Sequence, residues 1–155
     1  MSEVLSIGFT GTQQGLTNPQ RSSLFTLLAQ LFDLGARFHH GKCIGADSQA
    51  HYLANMLGYA IVLHPPLLGK KEAKCPIEIE EGDEIRPRRD YLDRNRDIVN
   101  ETTILVACPK EEEGEALRSG TWFTVRYARD LKRKIYIIRP NGEVEDGSTN
   151  PEVRT

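Results

Sequence analysis

Four short segments of the chain carry residue types that can grip a phosphate. The first is Gly8-Phe9-Thr10-Gly11-Thr12-Gln13-Gln14-Gly15, where glycines let backbone N–H groups approach an anion. Its spacing is not GxGxxG, and Phe38-His39-His40 stands where an NAD ribose would want an acid. Both features argue against an ordinary NAD(P) dehydrogenase. The second is Ser119-Gly120-Thr121, where a capping hydroxyl, a glycine and a helix start combine to favour an anion. The third is Arg94-Asn95-Arg96 between Asp93 and Asp97. Helical residues two apart diverge by about 200°, so one arginine can reach a phosphate while the other pairs with an acid. The fourth is Gly41…Gly45-Ala46-Asp47…His51, with Asp47 and His51 four apart on one helix side.

Other chemistry is weaker in the sequence. All four histidines (His39, His40, His51, His64) fall in one stretch. They offer no HxH or HxxxH pair, and neighbours on a strand face opposite ways, so a polar wall for a base or ribose is expected and no metal site is. Trp122 falls on an apolar helix stripe and reads as core, with base stacking as the other use. No GxSxG is present, and the buried-type Cys108 reads as packing. Glu111-Glu112-Glu113 offers a carboxylate to the same edge, although such runs are usually solvated loops.

The elements that position these segments alternate. Apolar strands are expected at 4–9, 36–40, 60–64, 103–107 and 134–138. Helices are expected from an Asn18 cap and Pro19 to a stop at Gly35, then over 46–57, 90–100 and 120–132. Alternation of this kind builds a single three-layer α/β domain with a mainly parallel five-stranded sheet. Ligands then bind beyond the carboxyl ends of the strands, and the four segments lie in loops leaving those ends. Residues 67–89 break the rhythm with mixed charge and are expected as a flexible lid with room for a short strand pair. Residues 141–155 lack apolar content and are expected as a mobile tail after a domain spanning 1–140.

Composition sets the class. The chain has 155 residues, 39% hydrophobic and 27% charged, with net charge −2. That size suits one domain able to bury about 70% of its unfolded surface. The charge balance speaks against a strongly basic nucleic-acid binder or a membrane surface. Three separated cysteines signal neither a disulfide framework nor a zinc ribbon. No leader and no long apolar run is visible, so a cytoplasmic protein is expected.

In this order FTGT, HHGKCIGAD-x3-H, YLDRNRDIV and RSGTWFTVRYA resemble the SLOG superfamily of Rossmann-like nucleotide-binding proteins, over roughly residues 5–139. That superfamily includes the DNA-processing protein DprA, the LOG cytokinin-activating phosphoribohydrolases and small stand-alone members. The pattern is most similar to the stand-alone and DprA-like members. The resemblance implies a nucleotide or nucleotide-sugar pocket made by Gly11, Thr12, Gly45, Asp47, Arg94, Asn95, Arg96, Ser119, Gly120 and Thr121. It also leaves room for a homodimer. LOG enzymes carry PGGxGTxxE; here Gly120-Thr121 survives, but Phe123-Thr124 occupies the place of the acid. The catalytic residue is therefore unknown, with Asp47 or Glu115 as stand-ins for an N-glycosidase or transferase. The expected role is a sensor or carrier of a phosphorylated nucleoside or ADP-ribose-like ligand, with no further cofactor. DprA-like single-stranded DNA association is the remaining alternative. The net charge sets it aside, so nucleic acid is not expected as a partner.

Overall fold

A computed structural model of the chain describes residues 4–148. The elements run β1 (Ser6–Gly11), α1 (Asn18–Leu31), β2 (Arg37–His40), α2 (Ala46–Leu57), β3 (Ala60–Leu63), a 3-10 turn (Ile79–Glu81), β4 (Glu84–Ile85), α3 (Tyr91–Asn100), β5 (Ile104–Cys108), α4 (Gly120–Asp130), β6 (Lys134–Ile138) and β7 (Val144–Asp146). The sheet order is β4-β3-β2-β1-β5-β6-β7, and every pairing is parallel except β6 with β7. Chain order reverses at β1, which pairs with both β2 and β5. A crevice opens at such a reversal.

The sheet has two strands more than the five expected. β4 lies within 67–89 and β7 within the expected tail, and they are two and three residues long. Neither is long or apolar enough to leave an alternating pattern; β7 is exposed throughout. Residues 149–155 of the expected tail lie outside the described residues. Segment 67–89 is bonded to the body along its length. Lys42 Nζ donates to Glu72 and to the Ala73 carbonyl, both at 2.7 Å. The Asp83 carboxylate accepts from Ile61 N at 2.7 Å and Glu78 N at 2.8 Å.

Two apolar clusters flank the sheet. Ile7, Phe9 and Phe38 pack with Leu24 and Leu28 of α1 and Ala50 and Ala54 of α2 on one face. Leu105, Ala107, Ile135 and Ile137 pack with Trp122, Val125 and Ala128 of α4 on the other. Trp122 is core: fully buried, it donates its indole N–H to Glu111 Oε1 at 2.9 Å. Helix α1 is capped one residue earlier than expected. Thr17 and Gln20 form a reciprocal capping box, so Asn18 is already helical and Pro19 follows it in the first turn. Among the described residues no helix is long and apolar enough to cross a membrane.

Candidate functional site

The reversal at β1 makes a cleft between the loop after β1 and the loop that feeds α4. Its walls are Gly11, Thr12, Gln13 and Gln14 on one side, and Lys110, Glu111, Ala116, Arg118, Ser119, Gly120 and Thr121 on the other. Tyr91 from the start of α3 completes it. Five of the ten expected binding residues therefore meet here: Gly11, Thr12, Ser119, Gly120 and Thr121.

Local chemistry explains each wall. Ser119 is the N-cap of α4, and its hydroxyl accepts from Trp122 N at 3.2 Å. Capping satisfies the third amide of the helix and leaves the Gly120 and Thr121 amides without an intrahelical acceptor. Across the cleft, Thr12 N donates to Cys108 O at 3.0 Å and Gln14 N to Thr12 Oγ1 at 3.2 Å. The Gln13 amide makes no hydrogen bond among the described residues. Gly120 lets Tyr91 come close: a Cβ there would stand 2.9 Å from the Tyr91 hydroxyl, the tip of an exposed side chain that would have to shift. Tyr91 and Gln13 both line the cleft, and the Gln13 side-chain oxygen accepts from Lys71 Nζ at 2.9 Å. Lys110 and Arg118 are exposed, and among the described residues neither makes a hydrogen bond or ion pair. The residues that line this cleft thus carry three amides and two cations with no acceptor among the described residues, beside the Glu111 acid that the Trp122 indole holds, an arrangement suited to an anion.

The other five expected residues do not line this cleft. Arg94 is turned inward, 2% exposed. It donates to the Gly41 carbonyl, to His64 O at 2.9 Å and to Asn95 Oδ1 at 2.9 Å, joining the ends of β2 and β3. Asn95 is buried with it. Asp47 is also buried, and its Oδ2 accepts from Gly41 N at 3.1 Å and Cys43 N at 3.3 Å, which folds the turn after β2. Burial pushes the Asp47 carboxyl up to about 6, against the pull of Arg94 and the two amides. Arg96 pairs with Asp93 at 2.9 Å and lies over the Phe123 and Tyr127 rings. The two arginines diverge, as their spacing of two on a helix requires, and neither lines the cleft. Gly45 has φ 87, and a Cβ would run into the Gln13 backbone. Its role is to let α2 start beneath the β1 loop.

Lys110, Arg118 and Tyr91 were missed by sequence reasoning, whereas Gln13 lies within the first glycine-bearing segment. The available signal for Arg118 was its place directly before the Ser119 cap. Glu111 is the carboxylate of its acidic run that lines the cleft. Glu115 does not line it; Arg129 holds this acid at 2.6 Å. The histidines make no polar wall either. Each is buried and paired with another, His39 Nδ1 to His64 Nε2 and His40 Nε2 to His51 Nδ1, both at 2.9 Å.

No family model matches the sequence, and neither does any curated protein. Solved structures do match in fold. A molybdenum cofactor binding protein from Rippkaea orientalis superposes with TM-score 0.64 at 17% identity, over 90% of this chain and 78% of that one. The molybdenum cofactor carrier protein of Chlamydomonas reinhardtii gives 0.59 at 18%, over 97% and 81%. DNA processing protein A from Helicobacter pylori, described for its single-stranded DNA binding mode, gives 0.60 at 17%, over 93% and 69%. This last likeness overturns the expectation that set nucleic acid aside. Net charge of −2 over a whole chain says nothing about one rim, and here two cations without a partner among the described residues, Lys110 and Arg118, line the same cleft.

Proposed function

Because the chain has the Rossmann-like fold of SLOG-type proteins, we propose that it binds a phosphorylated nucleoside or ADP-ribose-like ligand as a sensor or carrier. The phosphate sits in the β1–α4 cleft. The observation that carries this reading is the convergence of the unpartnered Gln13, Gly120 and Thr121 amides with Lys110 and Arg118. Amides at a helix start favour an anion, and a guanidinium adds charge-assisted bonds of fixed geometry. Tyr91, partly exposed beside Gly120, offers a ring face to a base or sugar.

Calorimetry of the full chain against AMP, ADP-ribose, NAD and a molybdenum cofactor tests the reading. At least one should bind, and Arg118→Ala should weaken it about tenfold, as loss of a charged hydrogen bond does. Silence across the panel would contradict it. A second reading, single-stranded DNA, is favoured by the same cation pair together with the DNA-processing protein that shares this fold. It requires retention of single strands that falls steeply with salt. Turnover of the bound nucleotide would need a carboxylate in the cleft. Glu111 lines it, so free base released by the wild type and lost in Glu111→Gln would identify an N-glycosidase.

A further inference from the structure

Strand β2 ends in two histidines that leave opposite faces of the sheet. Each finds a second histidine, but the two pairs are held differently. His40 Nδ1 accepts from Lys42 N at 3.0 Å, His40 Nε2 faces His51 Nδ1, and His51 Nε2 faces the Pro76 carbonyl at 2.8 Å. A carbonyl only accepts, so every proton in that chain has one allowed place. The ring nitrogens between His40 and His51 are committed to each other, even though Cys75 lies close by.

The pair on the other face is free of such constraint. His39 Nδ1 and His64 Nε2 share one proton at 2.9 Å, while His39 Nε2 and His64 Nδ1 make no hydrogen bond among the described residues. Glu101, the C-cap of α3, brings a carboxylate beside them. One ligand atom from each of the three residues lies within 4.8 Å of the others. Arg86 Nε donates to Glu101 Oε1 at 2.8 Å, which orients the carboxylate and leaves Oε2.

We propose that His39, His64 and Glu101 form a divalent-metal site of the zinc class, with two imidazoles, one carboxylate and an open fourth position. That donor set and count are those of a zinc centre with exchangeable water. Binding is balanced without net proton loss. The shared proton moves to the outer nitrogen of its own ring, and both inner nitrogens become ligands. Tetrahedral bonds of about 2.0 Å require the inner nitrogens to separate by roughly half an ångström. Arg37 and Arg86 oppose a cation here, but both are ion-paired to Glu84, and Arg86 also to Glu101.

Cobalt(II) titration of the full chain, followed by visible absorption, tests this site apart from the nucleotide cleft. One equivalent should bind and give a d–d spectrum without a thiolate charge-transfer band. Glu101→Gln, a partly exposed change that leaves the fold intact, should weaken cobalt and zinc by at least about tenfold, a loss that even an outer-shell change can cause. His64→Gln should do the same, with circular dichroism checking that it is folded. Cys75→Ser should leave binding unchanged. The proposal is overturned by absence of binding, by unchanged affinity in Glu101→Gln, or by a thiolate band that Cys75→Ser abolishes.

Discussion

The two halves of the sheet's carboxyl edge treat polar groups in opposite ways. Beyond β1 and β5, Gln13, Lys110, Arg118, Gly120 and Thr121 line one cleft, and among the described residues their amides (Gln13, Gly120, Thr121) and cationic side chains (Lys110, Arg118) have no acceptor. Beyond β2 and β3, Arg94, Asp47, His40 and His51 are buried and bonded to one another or to backbone. The comparison teaches that charged and polar residues in a motif serve the fold where their hydrogen bonds close internally. They are available to a ligand where those bonds are left open.

The largest expected effect breaks the closed half. Arg94→Ala removes the donor to the Gly41 and His64 carbonyls at two strand ends, and should cost more than about 3 kcal/mol in chemical denaturation. A loss within experimental error would show that Arg94 does not join the strands.

Acid should reveal the same half next. Burial holds the pKa of each of the four histidines below the ordinary value of 6.5. The unfolded chain therefore binds protons more readily, and stability is fully present above 6.5 and declines as pH falls through it toward 4 and below. Melting temperature should be flat from about pH 7 to 8 and drop toward pH 5. Asp47, raised by burial, acts the other way, losing stability as pH rises from 3.8 through about 6, but it is one group against four. A melting temperature that rises on acidification would contradict the buried neutral pairs.

Asp47 sharpens the point with a smaller effect. Asp47→Ala orphans the Gly41 and Cys43 amides and should cost about 1–3 kcal/mol. Asp47→Asn keeps an acceptor and discards a costly buried charge, so at neutral pH it should match or exceed the wild type. Smallest of all is the effect of Arg118→Ala on stability. An exposed, unpaired side chain should change it by less than about 0.5 kcal/mol, while ligand affinity falls.

Much of the open half was legible in the sequence, and little of the closed half was. Gly11-Thr12 and Ser119-Gly120-Thr121 announce themselves because capping and close backbone approach are local properties of a few consecutive residues. Five strands were legible through apolar runs, whereas β4 and β7 are short edge strands whose pairing is set by their neighbours. The fate of Arg94 depends on how α3 lies over the ends of β2 and β3, which no local spacing encodes. The His39–His64 contact likewise arises from the parallel register that sets His39 beside Val62, two residues before His64. Arg118 was hidden because a single arginine in a loop has no pattern.

Backbone amide chemical shifts followed during titration with AMP and ADP-ribose test the cleft most directly. The account predicts saturable shifts concentrated at Gln13, Gly120 and Thr121, reduced in Arg118→Ala and retained in Asp47→Asn. Shifts centred instead on the turn from Gly41 to Gly45 or on α2, or no shifts with either nucleotide, would contradict it.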